Sequence, residues 1–312
     1  MKVKSIVVSL LLLTTGFGIT FNKELIQLYH TIRLFHPDVI VHNFSTLPAL
    51  ASHKVIKRAG DVDEFNYELT ELPKEFAYRQ GAKNTQQWLN NTSTTALLVV
   101  KGNDIRFEQY YQGTKALDKR ISWSMAKSFL SAIFGVAVAE GHIPDLNAAV
   151  TDYVPELIGS GYEGINIKNV LQMSSGIYFN EDYDDFFSDI NRFGRIMALG
   201  GSFDDFAASL ESHQPQGSKM HYVSIDTHVV GMVLRAATGQ AIETYFYDKL
   251  WSKLKTEGDA IYITDSTGEP MVLGGLNILT RDYARFGKLF RDHGRLHDQQ
   301  IIPENWIKES LT

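Results

Sequence analysis

The apolar pattern of this chain changes period near residue 121, and that change constrains the fold more than any other feature. Upstream, Ala96-Leu97-Leu98-Val99-Val100 is a dense β-type run, and Gly102-Asn103-Asp104 is a turn signal. Ile105-Arg106-Phe107-Glu108-Gln109-Tyr110 then alternates as a half-buried strand does, so the three segments predict a β-hairpin. Downstream the spacing becomes helical. Residues 125–138 are rich in apolar and small residues and stop at Gly141, a common helix terminator. Residues 225–238 form a strongly apolar helical run closed by Gly239, and 241–254 follow as a second. Shorter helices are expected at 83–89, 167–173 and 202–212, and one more begins at Thr280 and Asp282. Between them, 258–279 is glycine-rich and irregular, with one short β-like stretch, Ile261-Tyr262-Ile263. The expected class is α+β: an antiparallel sheet with a helical block inserted between its strands. A two-stranded hairpin rarely stands alone, so further strands are needed.

The two ends read differently from the middle. Lys2 and Lys4 precede an apolar run from Ile6 to Phe21, the form of a secretory signal peptide or an uncleaved membrane anchor over residues 1–21. Its length is near the lower limit of about 17 residues for a spanning helix, and the alternative is a buried N-terminal helix. The lysines ahead of the run favour an exported, periplasmic or otherwise extracytoplasmic body. Residues 22–64, interrupted by Pro37 and Pro48, read as a lead-in or linker, and 65–312 as the folded domain.

Several function classes fall away on composition. The absence of cysteine excludes disulfides, iron–sulfur clusters, thiolate zinc sites and a cysteine nucleophile. A net charge of −6 leaves no electrostatic footprint for nucleic acid. The ten histidines contain no H-E-x-x-H, so neither a metal nor a cofactor is expected.

The residues that remain point to a serine nucleophile. There is no G-x-S-x-G elbow, which leaves S-x-x-K, where a serine opens a helix and a lysine lies one turn on, on the same face. The helix start offers free N–H groups and a positive dipole end to a developing anion. With 21 serines and 18 lysines in the chain, chance alone supplies about one such match. Two occur, Ser124-Met125-Ala126-Lys127 and Ser252-Lys253-Leu254-Lys255. Ser124 opens a long apolar helix that can hold it rigidly, whereas Ser252 sits at a charged helix end and reads as solvated surface. The bland reading of Ser124 is an N-cap serine beside a surface lysine. A tyrosine can relay the proton if nearby cations depress its pKa. Of Tyr178-Phe179-Asn180 and Tyr222-Val223-Ser224, the second is favoured. It lies at a helix mouth, while Tyr178 adjoins the acidic pair Glu181-Asp182, which would oppose a tyrosinate.

Taken with Leu171-Gln172-Met173-Ser174-Ser175-Gly176 and Gly274-Gly275-Leu276, these motifs resemble the serine β-lactamase and penicillin-binding-protein family. The nearest branch is the class C-like one that includes family VIII esterases and 6-aminohexanoate-dimer hydrolases. The resemblance implies a β-lactamase/transpeptidase-like fold and a small amide or ester substrate. It makes Ser124 the acylated nucleophile, Lys127 the group that takes or shares its proton, and Tyr222 the general base and then acid. Ser224 stands where class C lactamases carry asparagine and is implied as a substrate-binding residue, with Tyr183 as a second substrate contact. The third family motif, K-[ST]-G or H-x-G, is absent from the sequence. The expectation is a chain lacking its C-terminal strands and one oxyanion donor, with an inactive relative that keeps the fold as the alternative to an active hydrolase. The sequence says nothing about oligomeric state.

Overall fold

The computed structural model describes residues 26–312. The segment 1–21, read above as a signal or anchor, lies outside the described residues, and among those described no helix is long and apolar enough to cross a membrane. A helical stretch at 26–32 precedes helices α1 Ile40–Leu50, α2 Thr85–Asn91, α3 Met125–Ala139, α4 Ile167–Leu171, α5 Asp189–Leu199, α6 Phe203–Ala208, α7 Ser224–Thr238, α8 Ile242–Phe246, α9 Thr280–Arg291 and α10 Glu304–Ser310. The strands are β1 His53–Ile56, β2 Asn66–Tyr67, β3 Glu75–Tyr78, β4 Gly81–Asn84, β5 Ala96–Lys101, β6 Asp104–Tyr110, β7 Arg120–Ile121, β8 Ala260–Ile263, β9 Leu276–Ile278, β10 Arg295–Leu296 and β11 Gln299–Gln300.

A four-stranded antiparallel sheet in the order β1-β8-β9-β7 forms the floor of the molecule. Helices α3 to α8 lie between β7 and β8 in the chain, so the helical block is inserted between strands of one sheet, as the change of period implies. The predicted hairpin is β5–β6, with Gly102 in its turn at φ +65 and a bulge between Val99 and Val100. It belongs to a second sheet, in which β2 adds in parallel to β6.

Burial explains the two long helices. Phe129, Leu130, Ile133 and Phe134 of α3 are all at most 1% exposed, and fully burying side chains of this kind contributes about 1.5–3 kcal/mol each. Helix α7 is buried from Ser224 through Leu234, with apolar residues from Val229 to Leu234 and the polar Asp226, Thr227 and His228 enclosed in its first turns. It ends at Gly239, whose left-handed φ of +65 is disfavoured for any residue with a Cβ.

Three expectations need correction. Residues 53–56, read as part of a lead-in, form β1 and pair with β8 in the main sheet, while Leu34 and Leu47 are buried against Ile121 and Ile263. The helix expected at 83–89 starts later, because Lys83 belongs to β4 and Asn84 Oδ1 caps the Gln87 N–H at 2.9 Å. The irregular 258–279 segment supplies two strands rather than one. Gly275 permits this, since a Cβ there would come within 2.8 Å of Met271 Cβ and 3.0 Å of its carbonyl oxygen.

Candidate active site

Ser124 is the N-cap of α3, with φ −59 and ψ −12, yet its hydroxyl makes no capping bond. That removes the bland reading of Ser124. The hydroxyl is engaged elsewhere: Tyr222 Oη donates to Ser124 Oγ at 2.9 Å, and Lys127 Nζ donates to the same oxygen at 3.3 Å. Lys127 reaches it because a spacing of three puts both residues on one face of α3. Tyr222 reaches it from the turn leading into α7, which packs against α3. Lys127 Nζ also donates to Leu273 O at 2.9 Å and lies 5.3 Å from the centre of the Tyr222 ring, so the loop before β9 holds the amine in place.

The environment sets the chemistry of these groups. Burial lowers the Lys127 pKa, and the neighbouring Tyr222 and Glu181 only partly oppose that effect. For Tyr222, partial burial pushes the phenol up. Its hydrogen bonds to Ser124, Lys127 and Ser224 and the Lys127 charge outweigh this, so its pKa falls below the ordinary 10.0. An amine biased toward neutrality and a phenol biased toward the anion are two proton acceptors facing one hydroxyl. At the helix start, the N–H groups of Met125, Ala126 and Lys127 go to the carbonyls of Ser122, Trp123 and Ser124. The Ser124 N–H is left with no acceptor among the described residues, where an oxyanion can use it.

The two substrate-side expectations sit around Glu181. Ser224 is buried and opens α7, where its backbone N–H donates to Glu181 Oε1 at 2.6 Å. Tyr183 is exposed, and its hydroxyl donates to Glu181 Oε2 at 3.0 Å. Partial burial and the adjacent carboxylate hold the Tyr183 pKa well above the usual tyrosine value. Glu181 thus joins the wall of the site. In the sequence Glu181 counts against Tyr178 and falls in the Glu181-Asp182-Tyr183 segment that resembles a substrate-side segment of the dimer hydrolases, without a role of its own. Beneath that wall Asp226 is fully buried. Its Oδ1 accepts from Tyr162 Oη at 2.7 Å and Ser175 Oγ at 3.0 Å, while its Oδ2 has no partner.

The remaining candidates lie apart. Tyr178 stacks on His213 at 4.6 Å between ring centres. Ser252 terminates the turn after α8, and Lys255 is exposed at φ +50. Among the described residues no group of three or more His, Asp or Glu side chains is disposed to hold a metal ion.

A family model described as Beta-lactamase matches residues 84–312. The chain belongs to the beta-lactamase family. The match contains Ser124, Lys127, Tyr222, Ser224 and Tyr183, so the whole constellation lies within the beta-lactamase domain. A curated relative, the 6-aminohexanoate-dimer hydrolase of Paenarthrobacter ureafaciens, is 32% identical over a 237-residue alignment, and the match covers 72% of this chain and 59% of the relative. This beta-lactamase-family chain therefore spans about three-fifths of that relative's length. A Bacillus anthracis protein assigned as a 6-aminohexanoate-dimer hydrolase superposes with a TM-score of 0.80 at 21% identity, covering 89% of this chain and 75% of its own. A penicillin-binding protein from Bacillus halodurans gives 0.58 at 16% identity, over 73% and 78%. At these identities the two structures establish the beta-lactamase/transpeptidase-like fold.

Proposed function

We propose that this chain is a serine hydrolase that cleaves a small amide or ester through an acyl-enzyme on Ser124. The observation that carries the reading is the convergence of the Tyr222 hydroxyl and the Lys127 amine on Ser124 Oγ, at 2.9 and 3.3 Å. In the first half-reaction Ser124 Oγ forms a bond to the substrate carbonyl carbon, and its proton passes to the Lys127–Tyr222 pair. The carbonyl oxygen becomes an oxyanion facing the Ser124 N–H. Collapse breaks the bond to the leaving nitrogen or oxygen, which takes the proton from Tyr222. In the second half-reaction water attacks the acyl carbon, gives its proton to the same pair, and Ser124 is released with its proton restored. The chemistry calls for no cofactor. The relative named for 6-aminohexanoate dimers supports a small amide as substrate, with Tyr183 and the Glu181-braced start of α7 as the surface that meets it.

A fluorophosphonate probe should label the wild-type chain and fail to label Ser124→Ala, and equal labelling of the two would refute the reading. The absence of K-[ST]-G and H-x-G favours a second reading, a relative that binds without turning over. Hydrolysis of p-nitrophenyl acetate well above the Ser124→Ala control would exclude it. Residues 1–21 support export, with membrane anchorage if the segment is retained. Recovery of the chain in the cytosolic fraction of its host would argue against both.

A further inference from the structure

The residue before the nucleophile has an unusual backbone. Trp123 has φ +42, in the left-handed region that is uncommon for a bulky residue, and it shares that region with seven other described non-glycine residues. One side of the indole packs toward the main core, and the rings that meet it come from the N-terminal part of the chain. The Phe35 ring stacks on the Trp123 indole at 5.2 Å, and the Phe44 ring of α1 meets it edge-on at 5.3 Å. Phe35 and Phe44 are themselves in edge contact at 5.7 Å, so the three rings form one closed cluster.

The same arm is fastened to the neighbouring strand. Arg120 of β7 donates through Nη1 to Val41 O at 2.7 Å and Ser45 Oγ at 2.6 Å. On its other side the nucleophile loop is held by β9 and the loop before it, through Ser122 N to Leu276 O at 2.7 Å and Ser122 Oγ to Gly274 O at 3.3 Å. The family match starts at residue 84, so Phe35 and Phe44 lie outside the residues that define the family.

We propose that Phe35 and Phe44 are positioning residues. By clamping Trp123 they fix the left-handed turn that places Ser124 Oγ between Lys127 and Tyr222. The proposal rests on the reading of Ser124 as nucleophile. The geometry supplies the reason. Ser124 is joined to Trp123 by one peptide bond, so relaxation of that φ rotates the start of α3 and moves Oγ. A displacement of about 1 Å at a reacting atom can cost about 10²-fold in rate. Phe35 is about half exposed, so its truncation leaves the main core intact.

The test is steady-state hydrolysis of p-nitrophenyl acetate by the full chain, with Ser124→Ala as control. Phe35→Ala and Phe44→Ala should each lower kcat by about 10- to 100-fold with little change in KM, and Phe35→Tyr should restore the rate. Trp123→Gly adopts the positive φ without a clamp, so adding Phe35→Ala to it should change nothing further. Wild-type rates in a folded Phe35→Ala would overturn the clamp and leave the hydrolase intact. So would an equal loss from Phe35→Ala in the Trp123→Gly background, which also serves if the Phe44 variant does not fold. Wild-type turnover no greater than that of Ser124→Ala would instead remove the hydrolase reading, and the clamp with it.

Discussion

Asp226→Asn should remove a pH dependence from the stability of this protein. The Asp226 carboxyl is fully buried two residues into α7, and its Oδ2 meets no donor. Burial raises its pKa from the ordinary 3.8 to about 7, against the opposing hydrogen bonds from Tyr162 and Ser175. The unfolded chain gives up this proton near 3.8 and the folded protein near 7. Between those values the folded state holds one proton more, so its stability is greatest below 3.8 and falls as the pH rises toward 7. At 1.36 kcal/mol for each pH unit the loss is about 4 kcal/mol. That is a large share of the 5–15 kcal/mol by which folded proteins are ordinarily stable. The asparagine keeps Oδ1 for Tyr162 and Ser175 and cannot ionise. Its amide nitrogen at the Oδ2 position adds an offset of about 1–3 kcal/mol that does not vary with pH. Urea unfolding of wild type and variant at intervals from pH 4 to 8 isolates the group, because every other titration is common to both. The wild type should lose stability relative to the variant across this range, and parallel profiles would refute the argument.

Other perturbations have defined outcomes. Tyr222→Phe keeps the ring and removes the proton relay, and should lower kcat for an ester by about 10²–10⁴-fold in a steady-state assay. Because burial lowers the Lys127 pKa and the base must be neutral, kcat/KM should rise with pH through a midpoint below about 10.4, and Lys127→Arg should abolish that rise along with most of the activity. Gly135→Ala would gain about 1 kcal/mol of helix propensity in α3. The new Cβ would overlap the Trp306 indole, so the overlap should win and thermal melting should show a net loss of up to about 2 kcal/mol.

The parts of the fold that were legible in sequence are those governed by local spacing. The β5–β6 hairpin and helices α3 and α7 each carry a periodicity, and Gly102 and Gly239 mark their ends. What escaped was set by contacts distant in sequence. Strand β9 is three residues long and buried on both faces, so it has no alternation to read. Strand β1 is four residues following a helix with an internal proline, and only pairing with β8 makes it part of the sheet. Helix α5 follows an acidic stretch and has Ser188 as its cap, a start signal that its mixed composition obscures. In the site, the Ser124–Lys127 pair follows from helix geometry within a single element. Tyr222 needs the packing of α7 on α3, and its place at a helix mouth, with the acidic pair beside Tyr178, is enough to favour it over Tyr178. Glu181 could not be placed, since nothing local says that this carboxylate accepts the Ser224 N–H across a gap of 43 residues. Nor does composition suggest that Phe35 and Phe44 reach Trp123.

The identity of the residue that carries the acyl group tests the account most directly. Ester turnover can be quenched in acid during the steady state and the protein digested for peptide mass mapping. The account predicts an acyl adduct on Ser124 and none in the Ser124→Ala protein. Turnover with the adduct on another residue, or adduct formation unchanged in Ser124→Ala, would contradict it.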